Sequence, residues 1–520
     1  MRKTTLALIV CLVIAVLAGW MMAAQPAPKS ANPKPKLAGA TPLPPITISP
    51  NAPYVVPTTS AKTPKASQPM FNWFSWETFV ALNWPAAIDS STGLPIRGQP
   101  NTASHIGDPG PRVWETYKAD WETFGTGSQS PQPTPWSSWQ VTGGMSPCTS
   151  NTSPGKKLIV MLTKMDSILP GFNEANAGPL IDQNQNYVRY EIRLNQSEYQ
   201  SILTNQWYLQ ANLPITGLQF TASTQGTYGA LEVKAAWRQL VKGKDDFTRY
   251  YSVPATVVNP GNPQTCVDTT LGLIGLHIAA KTFPFTEWVW ATFEHEDNVP
   301  GDTVTPSTHY SLNNGSATPD SSLNGFNYPP NGAAAQTQGP APLQSNQPLP
   351  TNPTPVQVTR FITTIDPSIV AMNKEFHAQL GGTVWVHYKL VADQWPSITT
   401  PGTFNPSPSS YPAGSGTPFP ATNVANTAAE TYFQNAPAPG NLGNSCMQCH
   451  FVGASYTDFS WAVNLEAYPP VTSGTAAALR AKPMSAAAKH RLDGWTRLRA
   501  AMRARFAPAS PAKPSTKRKE

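Results

Sequence analysis

Two cysteines and a histidine lie close together near the carboxyl-terminal end of this 520-residue chain. They are Cys446, Cys449 and His450, in the run Cys-Met-Gln-Cys-His. Two thiols three residues apart are one helical turn apart, so each can form a thioether bond to a vinyl group of one haem. The histidine that follows can then bind the haem iron as the proximal ligand. The spacing therefore predicts one covalently attached haem c.

Two other kinds of site use the same residue types. A structural zinc site requires a third and a fourth ligand, and the sequence has no second Cys-x-x-Cys pair and no His-x-x-x-His. A redox-active dithiol is expected in a thioredoxin-like strand and helix context, which the sequence around Cys446 does not predict. Haem attachment is therefore the preferred interpretation of this motif.

The second axial ligand of the iron is open, with three candidates. Met484 lies in a loop before a predicted last helix and could supply a thioether sulfur. His295 and His277 lie on apolar faces of predicted strands, where each could equally be a core histidine with its hydrogen bonds satisfied. Carboxylates beside His295 could fix its tautomer or bind a calcium ion, namely Glu294, Glu296 and Asp297.

The elements that must position these residues begin at Phe71, where a predicted helix runs to a stop at Pro85. The centre of the chain is rich in β-branched and aromatic runs bounded by Gly, Pro, Asn and Thr, which predict strands. These runs are 158–162, 187–194, 228–237, 250–258, 271–280, 287–295 and 383–391. A further helix is expected from Asp366 as N-cap, with Pro367 at its first position, to Gly381. Asn426 is expected to cap a short helix over 427–434.

These elements predict an α+β fold class. A β-rich body with a few helices is expected to hold a C-terminal helical or irregular haem segment packed on it. The expected organisation is a signal peptide or anchor over 1–24, a disordered Pro-rich tether over 25–70, the body over 71–395, a Pro/Ser/Gly-rich loop over 396–423, the haem segment over 424–470 and a basic tail with one amphipathic helix over 471–520.

The amino terminus predicts export. Arg2 and Lys3 precede an uncharged, mostly apolar run over 4–24, which is typical of a signal peptide or of an N-terminal anchor. Covalent haem attachment in bacteria takes place outside the cytoplasmic membrane, so the two predictions agree. We expect a periplasmic protein, either released or tethered to the inner membrane by residues 4–24.

The periplasm also permits disulfide bonds. Cys148 and Cys266 are both flanked by loop-forming residues, and we expect them to be paired. The alternative is two free thiols in loops.

Charge is distributed unevenly along the chain, which has a net charge of +7. Residues 1–70 and 471–520 hold 19 of the 36 Lys and Arg residues but only two acidic ones. Because the basic residues lie in predicted tails of an exported chain, we expect no nucleic-acid partner. The tails are better suited to contact anionic lipid or solvent.

The Cys446 to His450 motif is the signature of c-type cytochromes, and the chain resembles a mono-haem member of that family. More widely it resembles large periplasmic bacterial "cytochrome c family" proteins, through the segments 76–85, 275–282, 292–298 and 425–434. The resemblance implies haem binding and electron transfer, with Cys446 and Cys449 as the thioether positions and His450 as the proximal ligand.

The predicted function is an exported c-type cytochrome that exchanges single electrons with a redox partner protein or with a small-molecule donor or acceptor. One alternative is a haem oxidoreductase of peroxidase or oxygenase type, with an open distal site lined by His295 or His277. A second alternative is a haem-based ligand-binding protein. The sequence contains no phosphate-binding loop, nucleophile elbow or second haem motif.

Overall fold

A computed structural model of the chain describes residues 43–58, 66–125, 133–139, 157–159, 178–214, 218–259, 265–283, 285, 288–301, 309–315, 326–329, 339–341, 343, 348–361, 365–396, 418–420, 424–434, 445–447, 449–450 and 457–468. All of these residues belong to a compact unit that begins at Leu43.

One nine-stranded sheet dominates this unit. Its strands are β3 (Lys118–Ala119), β4 (Lys157–Ile159), β5 (Arg189–Leu194), β6 (Leu231–Gln239), β7 (Ser252–Asn259), β8 (Thr265–Ala280), β9 (Val289–His295), β12 (Tyr388–Pro396) and β13 (Pro418–Phe419). Two further pairs of strands lie outside it, β1 (Ala86–Ile88) with β2 (Pro95–Pro100), and β10 (Phe326–Asn327) with β11 (Gln357–Val358).

The order along the main path of the sheet is β13-β12-β9-β8-β6-β5-β3, and every pairing on that path is antiparallel. The long strand β8 uses its second half to pair with β6 and β9 and its first half to pair with β7. Strand β7 in turn pairs in parallel with β4. The sheet curls into a half-barrel.

Five α-helices accompany the sheet in the described part of the chain, and all are short. They are α1 (Gln68–Leu82), α2 (Asp120–Phe124), α3 (Gln196–Thr204), α4 (Pro367–Gln379) and α5 (Trp461–Glu466). Single 3-10 turns cover Trp114–Thr116, Gln210–Asn212, Phe247–Arg249, Val384–His387 and Thr431–Phe433.

Helices α1 and α4 pack together on one face of the sheet. The indole N–H of Trp76 donates to the side-chain oxygen of Asn373 at 2.8 Å, and the ring of Trp76 stacks on Phe376 with centroids 4.9 Å apart. Phe293 of β9 contacts both Trp76 and Phe79. This face therefore forms the largest apolar cluster of the molecule's described part, which we call the helix-side cluster.

The opposite face of the same strands packs on the region around Cys446 and His450. Because side chains alternate along a strand, Val289, Ala291 and Phe293 lie in the helix-side cluster, whereas Trp290 lies in another. We call this second group the motif-side cluster, and its members around the motif are Phe220, Trp288, Trp290, Met447, Phe459 and Val463. Strand β9 thus contributes to the helix-side cluster on one face of the sheet and to the motif-side cluster on the other.

Several local predictions are confirmed. Helix α4 begins after Asp366, whose carboxylate accepts the N–H of Ser368 at 2.8 Å, and Pro367 is its first residue. Strands β5 to β9 and β12 lie within or overlap the predicted β-branched and aromatic runs. The helix expected over 427–434 is instead a turn that ends in the 3-10 turn at Thr431. Residues 43–58 of the predicted tether lie against the body, with Val56 buried and the N–H of Thr47 donating to Glu77.

The predicted α+β class is wrong. The described residues form a β-rich protein built on one curled antiparallel sheet, with more strand than helix, whereas a cytochrome c domain would be helical. The physical reason is that the helices have no layer of their own: α1 and α4 cover part of one sheet face, and the others are single short segments. Strands of the body contact the described residues of the motif.

Among the residues that the structure describes, no helix is long and apolar enough to cross a membrane. Residues 4–24 and the predicted helix after Ser485 lie outside the described part, so the export segment and the last helix stay predictions.

Candidate functional site

The Cys-x-x-Cys-His motif begins a helical turn on the motif side of the sheet. Residues 446, 447, 449 and 450 are helical, and the N–H of Cys449 donates to the carbonyl of Ser445 at 3.1 Å. Cys446, Cys449 and His450 are all half-buried. Residues three positions apart in a helix lie on one face, so the turn presents both thiols on the same side.

Strand β12 holds the start of this turn through Gln394. The side-chain oxygen of this fully buried glutamine accepts the N–H of Met447 at 2.7 Å. Its amide nitrogen donates to the hydroxyl of Ser445 at 3.1 Å and to the carbonyl of Pro420 at 2.7 Å. The first N–H groups of a helix have no partner within it, so Gln394 acts as a cap supplied from a distant strand.

Met447 anchors the turn from its apolar side. Its side chain is completely buried and packs in the motif-side cluster with Trp288, Phe459 and Val463. A methionine can fill an irregular gap in a core because its side chain is unbranched and flexible. The turn is therefore fixed by a polar contact at its start and by an apolar contact beneath it.

His450 has a defined tautomer. Its Nδ1 lies 2.6 Å from the carbonyl oxygen of Phe459, which can only accept, so Nδ1 carries the proton. Burial lowers the pKa of His450 to about 4, although the Phe459 carbonyl acts in the opposite direction. The ring also lies against Trp290, with centroids 4.3 Å apart. The imidazole is therefore neutral at pH 7, and its lone pair is on Nε2.

The Phe459 carbonyl that accepts this hydrogen bond lies in an unusual turn. Asp458 and Phe459 both have positive φ angles, 49° and 67°, which residues other than glycine rarely adopt. Asp458 holds the turn through three contacts: its carboxylate accepts the N–H of Phe220 at 2.7 Å and pairs with Lys281, and its carbonyl accepts the indole N–H of Trp288 at 2.7 Å. The surrounding structure thus imposes the backbone direction that His450 requires.

A charged group lies on the same sheet face as the motif. His277 and Lys234 are register partners on β8 and β6, and both approach Glu430, at 3.1 and 3.9 Å. Burial opposes ionisation of Glu430, but His277 and Lys234, together with the N–H of Asn426, lower its pKa to about 2. Glu430 is therefore ionised at neutral pH.

Both cysteines of the motif are held as neutral thiols. Burial, followed by the charge of Glu430, raises the pKa of Cys449 to about 12, and the same two causes raise the pKa of Cys446. A redox-active cysteine needs a lowered pKa, because the thiolate is the reactive form. The described residues also contain no group of three or more His, Cys, Asp or Glu side chains that could hold a metal ion. Neither alternative interpretation of the motif gains support.

His295 lies on the opposite face of the sheet from His450. Its Nδ1 accepts the N–H of Asp297 at 3.1 Å, its Nε2 lies 3.0 Å from the carbonyl of Arg249, and its ring stacks on Tyr250 at 4.0 Å. Burial lowers its pKa to about 4. Both ring nitrogens are thus used, as in a core histidine. Of the three distal candidates, the structure brings only His277 to the motif face, and Met484 lies outside the described residues.

The carboxylates suggested for calcium contact arginines and a histidine. Glu294 pairs with Arg360. Arg249 pairs with Glu296 at 2.8 Å and with Asp297 at 2.6 Å, and His387 also contacts Glu296. These contacts satisfy the negative charges without a cation, so the arrangement gives the calcium prediction no support.

The predicted disulfide involves a residue outside the described part. Cys266 lies in β8 opposite Val258 of β7 and is half-buried, whereas Cys148 is not among the described residues. The pairing stays a prediction.

Sequence reasoning missed the residues that position the motif. Gln394, Asp458 and Glu430 show no local pattern, because each reaches the motif through strand pairing or a turn and not through spacing along the chain. Comparisons with protein-family models, with curated proteins and with solved structures gave no match to this chain.

Proposed function

We propose that residues 446–450 hold one covalently attached haem c and that the protein is an exported carrier of single electrons. The observation that supports this most strongly is the hydrogen bond from His450 Nδ1 to the Phe459 carbonyl. A histidine that ligates a metal through Nε2 commonly donates its other N–H to a carbonyl or carboxylate, which fixes the ring and its tautomer.

The residues present fit this group. Cys446 and Cys449 offer two neutral thiols on one side of a helical turn, as two thioether bonds to one porphyrin require. When bound, haem supplies an iron that alternates between two oxidation states. His450 would bind that iron through Nε2, while Trp290 and Met447 exclude water from the proximal side.

Electron transfer is favoured over haem catalysis by the surroundings of the two histidines. The catalytic alternative requires a histidine near an open distal position. His295 lies on the other sheet face with both nitrogens used, and His277 is paired with Glu430. The proposal includes export to the periplasm, because haem is attached covalently outside the cytoplasm. Residues 1–24 would direct that export as a signal peptide or an anchor.

Replacing the cysteines tests the proposal. The native protein, produced with a periplasmic haem-attachment system, should keep haem staining through denaturing electrophoresis. The single variants Cys446→Ala and Cys449→Ala each retain one thioether and serve as matched partial controls. The double variant should lose the covalent stain, and persistence of that stain would refute the assignment.

A further inference from the structure

Four charged or ionisable side chains lie together behind the motif turn. They are Glu198 of α3, Glu232 of β6, Lys281 after β8, and Asp458. Glu198 and Asp458 are completely buried, Lys281 is 5 % exposed, and Glu232 is half-buried. Lys281 forms an ion pair with Asp458. The one lysine is thus matched by one carboxylate, which leaves two carboxyl groups together.

Glu198 and Glu232 lie beside one another, because the side-chain oxygen of Asn195 accepts both the N–H of Glu198 at 3.0 Å and the N–H of Leu231, next to Glu232, at 3.1 Å. Within the described part of the chain, neither carboxyl oxygen of Glu198 meets a hydrogen-bond donor. Two ionised carboxylates repel, and a hydrogen bond between them requires a proton on one of the two. Their arrangement in a buried site is therefore that of a pair that shares a proton.

The ionisation equilibria agree with this arrangement. Burial, and then Glu232, raises the pKa of Glu198 well above its usual value, with Asp458 acting in the same direction and Lys281 against it. Burial raises the pKa of Glu232 to about 7, against the effects of Ser460, Glu198 and Lys234. The pair consequently holds a proton at neutral pH, and the partial exposure of Glu232 gives that proton access to solvent.

A short chain of contacts joins this pair to the proximal histidine. The hydroxyl of Ser460 donates to Glu232 Oε2 at 2.8 Å. The preceding residue, Phe459, accepts the Nδ1 proton of His450 at 2.6 Å. Neighbouring residues of one fixed turn therefore contact the carboxyl pair and the predicted iron ligand.

We propose that the Glu198 and Glu232 pair is a proton-binding site coupled to the haem, so that the protein takes up a fraction of a proton from solvent for each electron that it accepts from a donor protein. This inference rests on the proposed function. The added electron removes one positive charge from the haem site, which favours a neutral carboxyl nearby. At an effective dielectric constant of about 20, a charge interaction of this kind changes the pKa by up to about one unit, which is about a tenfold change in proton affinity.

Potentiometric titration of the haem-loaded protein tests the coupling. With soluble mediators and optical detection between about pH 5 and pH 9, the native midpoint potential should fall as the pH rises through the titration range of the pair. Glu198→Gln and Glu232→Gln should each flatten this dependence. Glu77→Gln is the matched control, because Glu77 is a buried carboxyl with a pKa of about 7 on the helix-side face, and it should leave the dependence unchanged.

Infrared spectroscopy of the protein without haem provides an independent measurement of the pair. The protonated carboxylic-acid absorption that is lost as the pH rises from about 5 to about 9 should be smaller in Glu198→Gln than in the native chain. Absence of covalent haem would overturn both proposals. A haem-loaded protein whose potential responds to pH equally in native and Glu198→Gln forms, or a native chain without the infrared change, would overturn only this one.

Discussion

Replacing Gln394 with alanine should destabilise the motif turn by about 1 to 3 kcal/mol. The change removes the acceptor for the Met447 N–H, and it also removes one hydrogen bond from the Ser445 hydroxyl and one from the Pro420 carbonyl. Leaving a buried polar group without a partner costs about 1 to 3 kcal/mol. One such group, the Met447 N–H, loses its partner in a fully buried site, and the estimate follows from it.

The assay is urea unfolding of the haem-free protein, followed by circular dichroism and tryptophan fluorescence, since Trp288 and Trp290 lie in the motif-side cluster. Gln200→Ala is the matched control, because Gln200 is exposed and bonds only locally, to Thr204, at 3.0 Å. That control should change the free energy of unfolding by less than about 0.5 kcal/mol. If Gln394→Ala behaves like the control, the capping role inferred for Gln394 is wrong.

Four further outcomes are expected. Met447→Ala should lower the free energy of unfolding by about 2 to 5 kcal/mol in urea titrations, because it empties a fully buried site, and a loss below about 1 kcal/mol would contradict that packing. The haem-loaded protein should be six-coordinate and low-spin in both oxidation states, and rapid carbon monoxide binding to its ferrous form would favour the enzyme alternative. Peptide mapping without reduction should recover Cys148 linked to Cys266, and recovery of two free thiols would exclude the disulfide. His450 and His295 stay neutral when folded but take up protons when unfolded, so each lowers the stability of the haem-free protein as the pH falls from about 6.5 to about 4, by at most about 1.4 kcal/mol per pH unit. Because buried carboxyl groups with raised pKa values act in the opposite direction, the measurement is a difference between urea midpoints: the native chain should lose stability relative to His450→Gln over that range, and parallel pH profiles would contradict it.

Local features of the fold could be predicted because they depend on neighbouring residues. The start of α4 follows from Asp366 and Pro367, whose cap and fixed φ angle act within one turn. The strands follow from runs of β-branched and aromatic residues, which suit a pleated, half-buried surface. The fold class could not be derived in the same way, because it depends on how far one sheet continues and on how little of it the helices cover.

In the candidate site, too, features set by neighbouring residues could be predicted, whereas contacts between residues far apart in the sequence could not. The motif itself is a spacing and needs no structure. His295 was expected on an apolar strand face, where it does lie, but the sequence could not show that this face packs on α1 and α4 while Trp290 and His277 face the motif. The part played by Gln394 depends on the pairing of β12 with β9, whose residues are about 100 positions apart.

The central claim is that the motif carries covalent haem, and intact mass spectrometry of the exported protein tests it most directly. The account predicts a single species heavier than the mature polypeptide by the mass of one haem, with the added mass located by digestion on the peptide that contains Cys446 and Cys449. A protein recovered from the periplasm of cells with active haem attachment at the mass of the bare polypeptide, with both thiols free to react with an alkylating reagent, would contradict it.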